Sequence, residues 1–324
     1  MVLVFYEIKN GCDSSLNIRI EAPAKINLFL HMKGRREDGY HLLSTMMQKI
    51  SLYDTIELSL EEDASLSENQ IHYSCNKSYL GKMEKNTAVK AALAFLALMP
   101  NRHFSLSIHL IKNIPSQAGL GGGSADAAYV LRALDSVFPG VASREALLSI
   151  AIGIGADVPF FLYEEAAICE GIGEIIRPVA PVSGLAVLLL KPKGGVSTPQ
   201  CFAKYDEISA NMSQSLVWTD NEKKLLDDFL FPKDESISAK ERLLRARPIL
   251  QNDLYVPSLT FVRPMQYAKR FMERENPITM GMSGSGSCMF GIFENEEAIN
   301  RLLASKEMDD FRSHKWFVSS VMTR

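Results

Sequence analysis

The chain has 324 residues, 47% of them hydrophobic and 23% charged, with a net charge of −3. That length accommodates two domains with cores of their own, and the composition excludes a disordered, collagen-like or disulfide-stapled chain. The near-neutral charge leaves no basic footprint for nucleic acid, and the longest late aliphatic run, Leu185 to Leu190, is far too short to cross a bilayer.

Residues up to about Ser15 read as an extension ahead of the fold. From Ile18 the pattern Ile-Arg-Ile-Glu-Ala is that of a strand, which continues through Pro23-Ala24-Lys25-Ile26-Asn27-Leu28. Lys25 and Asn27 lie two apart, so on a strand they share one face. Taken alone, Lys25 also fits a solvated lysine of an edge strand. Lys33 to Gly39 is a charged turn ending in Tyr40-His41, and the polar stretch Glu61 to Lys85 reads as hairpins and loop. Asn86-Thr87 is placed to cap a helix over Val89 to Leu98.

Phe104, Leu106, Ile108 and Leu110 alternate with polar residues as a half-buried strand does, and Ala127, Leu131, Leu134 and Phe138 recur at helical spacing. Between them lies Pro115-Ser116-Gln117-Ala118-Gly119-Leu120-Gly121-Gly122-Gly123-Ser124-Ala125. A strand, a glycine loop and a helix in that order aim free N–H groups and a positive dipole end out of a concave loop, which suits a phosphate. No Gly-Lys-Ser/Thr is present, and Ser124 falls where a dinucleotide fingerprint needs its third glycine, so both better-known phosphate loops are excluded. A tight turn before a helix, with Ser124 as its N-cap, is the plainer alternative.

Ser143 caps a further helix through about Ile152, broken by Gly153 and Gly155 ahead of Ala156-Asp157-Val158-Pro159-Phe160-Phe161. An acid in that apolar setting is partly desolvated and suits a base; an Asx turn before Pro159 explains it equally. Gly171-Ile172-Gly173-Glu174 is a turn between strands, and Leu185 to Leu190 is a buried strand. Thr198-Pro199 sets up an N-cap with proline at the first helical position. Lys204 to Ala239 is charge-rich and partly helical, and Ile278 to Phe293 runs strand, small-residue loop, strand. That loop, Gly281-Met282-Ser283-Gly284-Ser285-Gly286-Ser287, reads as a second wall for phosphate. The five cysteines are scattered without a Cys-x-x-Cys pair and read as reduced thiols, with no zinc site.

Together the loop Pro115 to Ala128, Lys25 with Asn27, Gly39-Tyr40-His41, Gly155-Ala156-Asp157-Val158-Pro159-Phe160 and Met282 to Ser287 resemble the GHMP kinases over nearly the whole chain. Pro-Ala-Lys-Ile-Asn-Leu, Asp-Gly-Tyr-His and the triple glycine before Ser-Ala-Asp-Ala-Ala point, within them, to the branch that acts on a cytidine diphosphate-linked methylerythritol. A homoserine- or mevalonate-type kinase is the alternative. The resemblance implies a two-domain α+β fold, with a ribosomal-S5-like domain over 1–180 and a ferredoxin-like domain over 181–324. It implies ATP held by Pro115 to Ala125 with Asn86 and Lys112 as further contacts, and Mg2+ without an assigned acidic ligand. Asp157 matches the family's base and Lys25 its partner. By the same resemblance His41 is expected to recognise the cytidine, with Tyr40 and Phe202 stacking on it, and Asn27 and Thr198 to lie near the erythritol. The expectation is thus a cytoplasmic enzyme, monomeric or weakly dimeric, that takes ATP and a small-molecule substrate and needs neither nucleic acid nor membrane.

Overall fold

The computed structural model describes residues 4–5, 15–78, 83–210 and 219–324. They divide into two units, one of Met1–Ala24, Leu52–Ile114 and Gly121–Leu162, the other of Lys25–Ser51, Pro115–Leu120 and Tyr163–Arg324.

In the first unit a short strand β1 (Val4–Phe5) pairs antiparallel with β2 (Leu16–Arg35) at Arg19 and Ile18, so part of the segment read as an extension belongs to the sheet. The rest of that segment lies outside the described residues. Strand β3 (His41–Glu62) follows, and β2 and β3 each run on from one unit into the other. Next come β4 (Gln70–Cys75), α1 (Thr87–Leu96), β5 (Phe104–Ile111), α2 (Gly122–Val137) and α3 (Arg144–Ile154). The end of β3 pairs antiparallel with β5, from Thr55 opposite Ile111 to Glu62 opposite Phe104. β4 lies parallel on the other edge of β5. A parallel pair needs a crossover, and α1 supplies it. The stretch Glu61 to Lys85, expected to be hairpins and loop, therefore contains an edge strand. Its alternate residues Gln70, His72 and Ser74 are exposed, which is why it looks polar in the sequence.

β5 buries Phe104, Leu106, Ile108 and Leu110 as its alternation predicts. Helices α1, α2 and α3 pack on one another. The Phe138 ring lies 6.4 Å from Phe95 and 5.2 Å from Phe104, which ties α1 to the sheet. Asn86 caps α1 as expected, accepting from the N–H groups of Ala88 and Val89, and Ser143 caps α3, which ends at Gly155.

In the second unit, β6 (Ala166–Gly171) and β7 (Ile175–Pro178) form the expected hairpin, and β6 pairs antiparallel with the start of β3. After β8 (Ala186–Lys191) come α4 (Thr198–Ser209), α5 (Asp220–Leu230), α6 (Ala239–Ala246), α7 (Tyr255–Leu259) and α8 (Met265–Glu275). The chain closes with β9 (Thr279–Met282), β10 (Met289–Phe293), α9 (Glu296–Leu303), α10 (Lys306–Ser313) and β11 (Phe317–Met322). Four of these strands make an antiparallel sheet in the order β11-β8-β10-β9. β8 is buried along its whole length, hence its unbroken apolar run. Leu188, Leu190, Met265, Phe271, Met272 and Met289 form the centre of this unit's core. The N-cap of α4 is Ser197 rather than Thr198, with no side-chain cap bond, and Pro199 stands in the first turn. Among the described residues no helix is long and apolar enough to cross a membrane.

Candidate active site

In the first unit, Gly121 takes a left-handed conformation at φ 74° and serves as the N-cap of α2. No side chain caps that end, so the helix presents the N–H groups of its first turn, Gly122 to Ser124, to an external acceptor. Ser124, offered by the sequence as the cap, stands inside the turn instead. A Cβ on Gly122 would lie 3.0 Å from Ile114 Cγ2 and 3.2 Å from Asp54 Oδ2. Thr87 Oγ1 donates to the Gly123 carbonyl at 2.6 Å, which fastens the start of α1 to that of α2. Asn86, besides its cap, donates from Nδ2 to Tyr73 Oη at 3.0 Å.

Lys112, the residue after β5, is buried with two carboxylates and donates to both Asp54 and Asp126. Burial works to lower the lysine's pKa, but the carboxylates of Asp126 and Asp54 outweigh it and keep the ammonium charged. Asp54 also accepts from the N–H groups of Asn113 and Ile114, at 2.6 and 2.9 Å, and so holds the approach to the glycines. Two carboxylates share one cation here, and Asp126 Oδ1 is buried without a hydrogen bond. Burial therefore pushes the Asp126 pKa up to about 7, against the pull of Lys112. The resemblance implies a nucleotide contact for Lys112; in this structure its ammonium is held by the two acids. Nothing local in the sequence marks Asp54, 58 residues away in the chain, as a partner of Lys112.

In the second unit, Lys25 and Asn27 are each only 2% exposed, which removes the solvated edge-lysine alternative. Lys25 Nζ donates to Asn27 Oδ1 at 2.6 Å, confirming that the two side chains share a face. Asn27 Nδ2 donates to Thr45 Oγ1 at 2.8 Å, and Asn27 Oδ1 also accepts from the Gly284 N–H at 2.8 Å. Ser283 Oγ donates to the Gly119 carbonyl at 2.8 Å, and the Lys25 N–H donates to the Leu120 carbonyl at 3.0 Å. The residues Pro115 to Leu120, the strand bearing Lys25 and the loop after β9 are thus laced together by main-chain and side-chain bonds. The Ser287 and Cys288 N–H groups, bonded to the Gln117 and Ala118 carbonyls, extend the lacing. Thr198 Oγ1 and Ser285 Oγ are 2.9 Å apart, bringing the start of α4 to the same loop.

His41 stacks on Phe202, with ring centroids 4.9 Å apart, and meets the edge of Tyr205 at 6.2 Å. Its Nε2 is 2.6 Å from Asp206 Oδ1. His41, Tyr205 and Asp206 line a cavity of about 790 Å³ that continues past Arg35, Asp253 and Tyr255. Tyr40, by contrast, is 61% exposed. Asp157 lies in the turn between α3 and the 3-10 turn Pro159–Leu162 of the first unit, half-buried, ahead of the buried Val158, Phe160 and Phe161.

Residues 86–165, which hold the glycine loop and the uncapped helix it opens, match the family GHMP kinases N terminal domain, and the fold is that of the GHMP kinases. The chain is 33% identical over 309 residues to 4-diphosphocytidyl-2-C-methyl-D-erythritol kinase of Clostridium perfringens, spanning 94% of this chain and 96% of that one. It therefore belongs to the 4-diphosphocytidyl-2-C-methyl-D-erythritol kinase family. A crystal structure of 4-(cytidine 5'-diphospho)-2C-methyl-D-erythritol kinase superposes with a TM-score of 0.67 at 28% identity, covering 94% of this chain and 99% of that one. A homoserine kinase from Cytophaga hutchinsonii has the same TM-score but only 15% identity, covering 97% and 96%, and so shares the fold alone.

Proposed function

We propose that this protein transfers the γ-phosphoryl group of ATP to the 2-hydroxyl of 4-diphosphocytidyl-2-C-methyl-D-erythritol, in the cytoplasmic non-mevalonate route to isoprenoid precursors. The observation that supports it most is the Lys25–Asn27 pair, buried and tied through Asn27 to the Gly284 N–H, which keeps a cation at one fixed place beside the second small-residue loop.

Phosphoryl transfer asks for placement and for neutralisation of spread negative charge more than for covalent chemistry. The N–H groups of Gly122, Gly123 and Ser124 bind phosphate oxygens, supported by the helix dipole. Asp157 accepts the proton of the attacking hydroxyl, and Lys25 offsets the charge that develops as the phosphoryl group moves. The hydroxyl of Ser124 is a hard oxygen donor of the kind Mg2+ accepts, and with phosphate oxygens and water it would complete the ion's shell. Bound there, Mg2+ would neutralise charge on the phosphates. His41, Tyr40 and Phe202 receive the cytidine, and Asn27 and Thr198 the erythritol, so that binding energy from the base is used to place a distant hydroxyl.

The test is ATP consumption with the cytidine compound, free methylerythritol 4-phosphate, homoserine and mevalonate in parallel. The first should be used with kcat/KM orders of magnitude above the others; efficient use of homoserine or mevalonate would overturn the assignment.

A further inference from the structure

The residue that faces His41 from α4 has no role in the reaction as proposed so far. Asp206 sits one turn after Phe202, and its Oδ1 lies 2.6 Å from His41 Nε2. Its other oxygen lies 3.4 Å from Arg35 Nη1, which leaves Oδ1 to the imidazole. The ring is held on three sides, by stacking on Phe202, by the edge of Tyr205 and by this carboxylate, and its side chain is only 12% exposed. An ionised carboxylate only accepts hydrogen bonds, so a neutral imidazole in this contact carries its proton on Nε2 and keeps Nδ1 as an acceptor. An acceptor in a base pocket favours a pyrimidine that offers an exocyclic amine. Cytosine has one at N4; a uracil-type base has a carbonyl acceptor there.

We infer that Asp206 is a positioning residue that sets the base preference of this pocket by fixing the tautomer and orientation of His41. This deepens the proposed function and rests on its reading of His41 as the residue that meets the base.

The experiment measures kcat and KM for the cytidine substrate and its uridine analogue with the wild-type enzyme and Asp206→Ala. The wild type should prefer cytidine. In Asp206→Ala that preference should shrink roughly 10- to 100-fold, the worth of one mispaired buried polar group, mostly through a raised KM for the cytidine compound. A variant that prefers cytidine as strongly as the wild type overturns the role of Asp206 while leaving that of His41 intact. A wild type indifferent to the base overturns the reading of His41 itself, and the inference with it. Imidazole nitrogen NMR of the wild type gives a readout that does not depend on the variant folding. It should show a proton on Nε2 and none on Nδ1; a proton on Nδ1, alone or together with one on Nε2, overturns the inference.

Discussion

The carbonyl oxygen of Ser283 lies 1.9 Å from the point where a Cβ on Gly119 would stand, and the Ser283 carbonyl carbon lies 2.7 Å from it. No rotamer change relieves a clash with main chain, and Gly119 also sits at φ 74°, where a side chain is strained. Gly119→Ala should therefore destabilise the protein by about 2–4 kcal/mol, seen as a lower thermal midpoint. Gly123 meets only Thr87 Oγ1, at 3.3 Å, and has helical backbone. Gly123→Ala should leave the midpoint nearly unchanged and weaken ATP binding. Equal thermal losses in the two variants would contradict this account of the loop.

Lys25→Ala removes a cation but leaves Asn27 its bonds to Thr45 and Gly284. Its circular dichroism should match the wild type, with kcat reduced about 10²–10⁴-fold. Asp157→Asn should do the same, since the amide cannot take a proton from the hydroxyl. Steady-state turnover with saturating ATP checks both, and a fully active Asp157→Asn would remove the proposed base.

Asp126 predicts a pH dependence of stability. Its folded-state pKa, about 7, lies above the roughly 4 of an unfolded aspartate, so between those values the folded protein holds more protons. The stability this group contributes is fully present below about pH 4 and is lost as pH rises to about 7, in total on the order of 4 kcal/mol. Asp126→Asn does not titrate. Thermal midpoints of variant and wild type across pH 5 to 8 should show the variant gaining relative to the wild type up to neutrality, then running parallel. A constant difference over that range would mean that Asp126 is ionised throughout.

Asn86 separates a structural role from a ligand role. Its Oδ1 caps α1 and its Nδ2 donates to Tyr73. Asn86→Ala should cost about 1 kcal/mol of stability through the lost cap. Asn86→Asp keeps an acceptor for the cap and should recover that loss. If Asn86 also binds the nucleotide through its amide donor, the aspartate variant will be stable yet raise the KM for ATP. An unchanged KM would assign Asn86 to the cap alone.

How much of this was legible depended on distance along the chain. Lys25 and Asn27 could be paired from strand periodicity because they are neighbours on one face, and Asn86 and Ser143 announced their helices through local capping chemistry. Strand β4 was hidden because an exposed edge strand alternates between half-buried and fully exposed residues, and its polar sites resemble a loop. Asp126 stood in plain view in Gly-Gly-Gly-Ser-Ala-Asp, but only its burial beside Lys112 and Asp54 shows its charge to be in excess. Asp206 is one acid among several in a charge-rich stretch, and only the His41 ring against it sets it apart.

The bond from the Gly284 N–H to Asn27 Oδ1 joins residues 257 positions apart. At translation rates of about 5–20 residues per second, the strand carrying Lys25 leaves the ribosome on the order of tens of seconds before the backbone that holds its neighbour exists. Asn27 must therefore wait for this bond until the loop between β9 and β10 has been made. A nascent chain halted short of residue 284 has its glycine loop but lacks the N–H that fixes Asn27, so synthesis itself delays that contact until the second small-residue loop is made.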